Sequence, residues 1–175
     1  MVGCTGAGKT TVATKLAQAL GVPHIELDAL HWGPDWRPAT TEEMIDRVER
    51  SISGDHWVVD GNYESKIGTL VRERADTIIW VDPPRWRAIS QVLSRTVIRA
   101  VTGRELWNGN GESLSGLMFW RGEDSILSYA WTSYPRTRVR YLAAMSDSRF
   151  ANRRWYRLRS RRDVDELIDA ITAGE

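Results

Sequence analysis

The chain has 175 residues, is 42% apolar and carries a formal net charge of +1. That supports one compact domain with a sizeable core, and so small a charge singles out neither nucleic acid nor an acidic surface as a partner. The single cysteine, Cys4, excludes an intrachain disulfide and a cysteine-based zinc site; no apolar run approaches the roughly 18 residues of a membrane span and no signal peptide precedes the first glycines, so a cytoplasmic, soluble protein is expected.

In chain order, only Met1 and Val2 stand before the run GCTGAGKT. Lys9 to Leu20 is predicted to be a helix with Val12, Leu16 and Leu20 on one face and Gly21 at its end. HIEL, His24 to Leu27, is a short strand ending at Asp28. The loop HWGPDWRP follows, punctuated by Pro34 and Pro38. Thr40 and Glu43 have capping-box spacing for a helix that turns Met44, Ile45, Val48 and Ile52 inward and stops at Gly54. Trp57 to Val59 is a second strand, ending in Asp60. Ser65 to Glu73 is a short helix, and DTIIWVDPP is a strand closed by Asp82 and two prolines. A long amphipathic helix is expected over about Arg85 to Val101, with Trp86, Ile89 and Leu93 on one side. From Thr102 to about Gly116 the turn signals Gly103, Asn108-Gly109 and Asn110-Gly111 suggest a mobile insertion. Helical stretches follow near Asp124 to Tyr134 and Arg136 to Met145. RWYRLRS is a last strand, and Val164, Leu167, Ile168 and Ile171 mark a last helix at i, i+3, i+4, i+7. Strand-length apolar runs alternating with helices argue for a parallel sheet covered on both faces.

GCTGAGKT fits G-x-x-x-x-G-K-[ST], the P-loop or Walker A pattern. Glycines let the backbone curl closely enough to aim several N–H groups at phosphate oxygens. The helix start adds its partial positive charge. Gly3, Cys4, Thr5, Gly6, Ala7 and Gly8, with Lys9, Thr10 and Thr11 at the helix start, are the predicted nucleotide cradle. Lys9 reaches the β- and γ-phosphates, and the Thr10 hydroxyl coordinates Mg²⁺. A P-loop follows a buried strand of about five residues, so the two residues here predict a first strand largely missing from this chain. A start site placed downstream of the true one is the expected cause, with low stability as its consequence.

In an open α/β sheet ligands bind at the carboxyl ends of the strands, where Asp28, Asp60 and Asp82 fall. Asp60 is the candidate to place a carboxylate near Mg²⁺ and its waters. Asp28 sits where an acceptor would lie, as a base for a hydroxyl or as a binding group. Asp82, before two prolines, reads as a turn residue. His24 and His31 are structural or acceptor-pocket residues, and His56 is a surface residue. Trp32 and Trp36 form an apolar acceptor pocket or pack in the core. Arg95 and Arg99 share a helix face at i, i+4, and Arg104 follows. Arginines positioned there stabilise the charge of a transferring phosphoryl group, and a closing lid excludes water. Arg136, Arg138 and Arg140, and Arg153, Arg154 and Arg157, either close the lid from its far side or lie on the surface.

Together these motifs resemble the adenylate-kinase-like P-loop kinases. Across nearly its whole length the chain is most similar to their bacterial branch described as "adenylate kinase or related kinase" or "DNA topology modulation protein"; ELDALHW, ERADTIIWVDPP, LWNGNGE and RLRSRRDVDEL carry that likeness. The resemblance implies a three-layer α/β/α P-loop NTPase sandwich with a parallel sheet in the order 2-3-1-4-5, ATP with Mg²⁺, and a lid over about residues 102–116. VVDGNY resembles the D-G-F-P-R segment of adenylate kinases, which puts Asp60 and Gly61 on its first two positions and Asn62 and Tyr63 on the acceptor side. Glu64 stands where those kinases place an arginine for the acceptor phosphate. Arg95 and Arg99 match a pair that stacks on adenine and contacts phosphate. Asp28 is closer to the pattern of shikimate and gluconate kinases, where such an aspartate handles a hydroxyl acceptor.

The expected activity is transfer of phosphate from ATP to a small hydroxyl-bearing metabolite, nucleoside or nucleotide. Lys9, Asp28, Arg95 and Arg99 are the expected catalytic residues, Thr10 and Asp60 the metal ligands, and Asp28, Trp32, Gly61, Asn62 and Tyr63 the acceptor contacts. The alternatives are a nucleoside monophosphate kinase, a non-catalytic nucleotide-binding regulator linked to DNA, and a plain ATPase. The expected partner is a small-molecule phosphate acceptor, with neither nucleic acid nor membrane, in a monomer or homodimer.

Overall fold

The computed structural model describes residues 1–102, 108 and 126–173. Strand β1 (Val2–Gly3) leads through the glycine loop into α1 (Lys9–Leu20). Val12, Ala13, Leu16 and Ala17 are its buried residues, while Leu20, expected on the same face, is exposed. Gly21 ends the helix in the left-handed region, its N–H turned back to the carbonyls of Ala17 and Gln18.

Strand β2 (His24–Glu26) is shorter than its apolar run suggested. Helix α2 (Leu27–His31) takes over, so Asp28 lies in the first turn of a helix and not at a strand end. Leu27, Ala29 and Leu30 are unbranched at Cβ and suit a helix, and Leu27 is buried as the turn begins. Helix α3 (Thr41–Ser51) starts on the expected Thr40–Glu43 capping box and buries Met44 and Val48. Strand β3 (Val58–Asp60) follows. The helix expected over Ser65 to Glu73 is two pieces, α4 (Glu64–Ile67) and α5 (Leu70–Arg74), separated at Gly68, whose φ of 55° a helix cannot continue through. Strand β4 (Thr77–Val81), helices α6 (Arg85–Thr102) and α7 (Ile126–Met145), strand β5 (Arg154–Leu158) and helix α8 (Arg161–Thr172) complete the order. Helix α7 runs through Pro135 as one helix where two were expected. A second capping box, Ser160 with Asp163, starts α8.

All strand pairs are parallel. They form a three-stranded ladder in the order β1-β4-β5 and a two-stranded ladder of β2 and β3. At their junction the Met1 amino group donates to Val59 O at 2.6 Å, and Gly61 N–H donates to Met1 O at 3.4 Å. Alternate residues of β4 serve opposite layers, as the pleat requires. Ile79 and Val81 pack with α1 and α8 residues such as Leu16 and Leu167, whereas Ile78 and Trp80 pack with Tyr141 of α7. Val58 and Val59 divide in the same way, Val58 toward α1 and Val59 toward Met44 and Val48 of α3. The result is an α/β fold with a small parallel sheet and helices on both faces.

Helix α6 turns differently from its sequence pattern. Ala88, Val92 and Thr96 are its buried stripe, and Trp86 and Leu93 are exposed, Trp86 at 67%. The reason is distance: α6 lies so close to the glycine loop that a Cβ on Gly6 would fall 2.3 Å from Ala88 O. Only small residues fit on the face that approaches so closely. The lid expected at about 102–116 lies outside the described residues apart from its first residue and Asn108, as do Arg104 and the side chain of Arg99.

Candidate functional site

The loop between β1 and α1 is shaped by two close approaches. Gly3, at φ 148°, lies against Val81 of β4, where a Cβ would meet the carbonyl oxygen at 2.3 Å, and Gly6, at φ 77°, lies against α6. Gly8 caps α1 in the left-handed region. Cys4 and Ala7 are buried beneath the loop, Thr5, Gly6 and Gly8 are half-buried, and Thr10 and Thr11 stand exposed at the first turn of α1. The Lys9 ammonium folds back over the loop and donates to Gly3 O and Cys4 O, both at 3.1 Å. Burial lowers its pKa; Asp60 and Asp28 oppose that shift, and Arg95 adds to it.

Asp60 ends β3 almost fully buried, at 2% exposure. Its Oδ2 lies 3.0 Å from Nε2 of His24 on β2. The ring's Nδ1 lies 3.3 Å from the Thr14 hydroxyl, which donates to Thr10 O one turn back along α1. A continuous polar chain thus joins the start of α1 to β2 and β3. Asn62 is spent on the loop itself: its carbonyl accepts from Gly3 N–H at 3.3 Å, and its amide donates to Gly3 O. Tyr141 approaches Asn62 Oδ1 and Glu64 Oε1, each at 2.9 Å, and Arg140 reaches Glu64 at 3.4 Å. Burial, with Glu64 beside it, raises the Tyr141 pKa, so the phenol keeps its proton.

On the other side, the Tyr63 hydroxyl donates to Oδ1 of Asp28 at 2.6 Å. His31 packs against Trp32 and Tyr63 at ring separations of 4.5 and 4.8 Å, and Trp32 meets Trp36 edge-on at 5.5 Å. His31 is 5% exposed; burial lowers its pKa, and its Nδ1 has no hydrogen-bond partner among the described residues. The Asn108 amide donates to Trp32 O, which brings one residue of the expected lid to this loop. Gly61 sits between the two halves at φ 140°, 2.6 Å from Leu27 Cβ if it carried a Cβ of its own.

No protein-family model matches the chain, and no curated protein matches it. What the region can do rests on its own residues. Among the described residues no three His, Cys, Asp or Glu side chains converge to hold a metal, so Thr10 with Asp60 would need the remaining ligands from water or from a bound phosphate. Asp82, read as a turn residue, is buried and accepts from Arg157 Nε at 2.9 Å and Nη2 at 2.5 Å, with Arg138 at 3.6 Å. Arg157 also stacks over Trp80. Arg153 and Arg154 hold Glu73 O and Asp76 at the surface. Most of the later arginines are therefore engaged in the fold. His24 is the site residue whose role the sequence left open. The sequence offers it as a structural or acceptor-pocket residue; the pairing of β2 with β3, His24 opposite Val58 and Glu26 opposite Asp60, is what brings it within reach of Asp60.

Proposed function

We propose that the protein is an ATP-dependent phosphotransferase acting on a small hydroxyl-bearing molecule, and that its two ladders work as one parallel sheet in the order 2-3-1-4-5 with a P-loop at the carboxyl edge. One observation carries the reading. Lys9, at the end of GCTGAGKT and the start of α1, folds its ammonium back over the glycine loop to Gly3 O and Cys4 O, both at 3.1 Å. A lysine over a glycine loop, two carboxylates and an arginine are the parts that phosphoryl transfer needs.

In this reading the amides of Gly3 to Thr11 and the Lys9 ammonium hold the phosphates. Thr10 and Asp60 would hold Mg²⁺, which would supply neutralisation of the phosphate charge. Arg95, with Arg99 one turn further along α6, meets the charge that spreads over the γ-oxygens. Asp28, oriented by Tyr63, accepts the proton of the acceptor hydroxyl. The hydroxyl oxygen bonds to the γ-phosphorus, while the bond to the β–γ bridging oxygen breaks and leaves its electron pair on ADP. Trp32 and Tyr63 line the acceptor. The Glu64 carboxylate, held by Tyr141 and Arg140, favours an uncharged acceptor over a nucleoside monophosphate.

Calorimetric titration of Mg·ATP into the protein and into Lys9→Met tests the nucleotide site: binding to the first, weakened about tenfold or more in the second, is the expected result. No affinity in the unsubstituted protein overturns the reading. ADP release measured over nucleosides, nucleoside monophosphates, sugars and hydroxy acids then identifies the acceptor. With a hydroxyl acceptor, Asp28→Asn lowers turnover by about 10²-fold or more and leaves ATP affinity in place.

A further inference from the structure

Gly3, where β1 opens into the glycine loop, is held through both of its backbone polar groups by one side chain 59 positions away. The Asn62 carbonyl accepts from Gly3 N–H at 3.3 Å, and the Asn62 amide donates to Gly3 O, which also accepts from the Lys9 ammonium at 3.1 Å. That arrangement fixes the amide: a flipped Asn62 would set donor against donor and acceptor against acceptor. Helix α7 supplies a third contact. Tyr141 is 0% exposed, with its ring 5.9 Å from that of Trp80, and its hydroxyl lies 2.9 Å from Asn62 Oδ1 and 2.9 Å from Glu64 Oε1. Both neighbours are acceptors, and a phenol has one proton to give. Burial, with Glu64 beside it, keeps that proton on the oxygen, so it serves either neighbour but not both at once. On the far side of the carboxylate, Arg140 reaches Glu64 Oε2 at 3.4 Å. The Glu64 side chain is 18% exposed, which leaves room for a ligand group to touch it.

We propose that Tyr141 is a positioning residue that couples Glu64 to the glycine loop: its hydroxyl proton is divided between Glu64 and Asn62, and a group that brings Glu64 a donor of its own turns that proton to Asn62 and tightens the clamp on Gly3. The sign follows from how hydrogen bonds in a chain polarise one another. An amide whose oxygen accepts a further bond donates more strongly through its nitrogen, so the bond from Asn62 to Gly3 O strengthens. Asn62 Oδ1 has two lone pairs and keeps Gly3 N–H as well. Because Lys9 shares Gly3 O, the effect reaches the ammonium. The class of group that sets the proton is a hydroxyl or amino donor on a molecule bound beside α4. Where the coupling acts on ATP, it rests on the nucleotide site proposed above. The two ligands then reinforce each other: a donor at Glu64 firms the loop, and a firm loop needs less ordering when phosphate binds.

The test compares the unsubstituted protein, Glu64→Gln, Tyr141→Phe and the double variant. Glutamine imitates the donor: Arg140 claims its oxygen, so its N–H faces the Tyr141 oxygen and the phenol proton goes to Asn62. Phenylalanine keeps the buried ring and deletes only the hydroxyl. The readouts are hydrogen exchange at the Gly3 amide without nucleotide, and Mg·ATP affinity by calorimetry. Glu64→Gln is expected to slow Gly3 exchange about three- to tenfold, the range of one hydrogen bond, and to tighten Mg·ATP by a similar factor. Tyr141→Phe is expected to speed that exchange, and the glutamine is expected to change neither readout once the hydroxyl is gone. An equal effect of glutamine in both backgrounds overturns the proposal, because it would come from removal of the Glu64 charge alone. If the unsubstituted protein binds no ATP, the nucleotide reading fails and Gly3 exchange still decides the coupling. If Tyr141→Phe does not fold, Glu64→Gln decides it by itself. Loss of a carboxylate charge alone favours hydroxide-catalysed exchange, so slower exchange supports the coupling, and unchanged or faster exchange overturns it.

Discussion

Nε2 of His24 stands 3.0 Å from Oδ2 of Asp60, and Nδ1 of the same ring stands 3.3 Å from the Thr14 hydroxyl. The imidazole is thus held at both ends between α1 and β3, and Asp60 is fixed by it in a place with 2% exposure. A buried carboxylate that is to face a metal needs such a partner to set its orientation. His24→Leu is expected to weaken Mg·ATP binding roughly tenfold or more while leaving metal-free ATP binding nearly unchanged. His24→Gln, which can return an N–H toward Asp60, is expected to recover most of the loss. Calorimetry with and without Mg²⁺ separates the two effects. Equal losses with and without the metal would mean that His24 supports the loop alone.

Gly6 joins the glycine loop to α6. A Cβ there would lie 2.3 Å from Ala88 O and 2.4 Å from Val92 Cγ2, and φ is 77°. Neither obstacle is the far end of a flexible side chain, so α6 would have to move. Gly6→Ala is expected to cost about 2–4 kcal/mol, from overpacking and from the left-handed backbone together. Urea unfolding measures this. An effect within about 0.5 kcal/mol, the range of an ordinary surface substitution, would show that the loop and the helix are not in close contact.

Local signals made much of this fold legible. The Thr40–Glu43 capping box, Gly21 after α1 and the apolar runs of β3 and β4 each fixed an element within a residue or so. The errors arose where tertiary packing overrode periodicity. Trp86 and Leu93 form a plausible apolar stripe, yet the loop's close approach selects Ala88 and Val92 instead. Asp28 appeared to end a strand, but Leu27 turns into the core and begins α2 one residue earlier. At the candidate site, the glycines of GCTGAGKT marked the turn that leads into α1 at Lys9. The partners that orient the acids, His24 for Asp60 and Tyr63 for Asp28, depend on how β2, β3 and α2 align in space. The pairing of Arg157 with Asp82 spans 75 positions, beyond the reach of any short motif.

Cys4 offers a check on the loop that requires no ligand. The residue is 4% exposed, and burial pushes its thiol up to about 11 despite the opposing pull of Lys9. The thiolate is the reactive form, so a two-unit rise from the ordinary value of 9.0 reduces it by about 100-fold at a given pH below both values. Iodoacetamide at pH 8 is expected to alkylate the folded protein at least about 100-fold more slowly than the urea-unfolded chain. Reaction at comparable rates would place Cys4 at the surface and the loop in another conformation.

The Met1 amine predicts how stability depends on pH. Its pKa falls from 8.0 to about 6 on folding, chiefly through burial, with Asp60 opposing the shift. Between those two values the unfolded chain binds more protons than the folded one, so stability rises with pH across that window. The charged form is the one disfavoured in the fold, and the contribution is lost as pH falls through 8 toward 6. Two units correspond to roughly 2.7 kcal/mol; the residue is only partly buried as a whole, so about 1–2 kcal/mol is the expected gain from pH 6 to pH 8. His31, whose pKa burial also lowers, acts in the same direction at the lower end of the range. Nα-acetylation separates the two contributions, because it keeps an N–H for Val59 O while removing the titrating amine. The acetylated protein is expected to show a much shallower rise in urea midpoint between pH 6 and 8. An unchanged slope would mean that Met1 is solvated and that the bond to Val59 does not persist in solution.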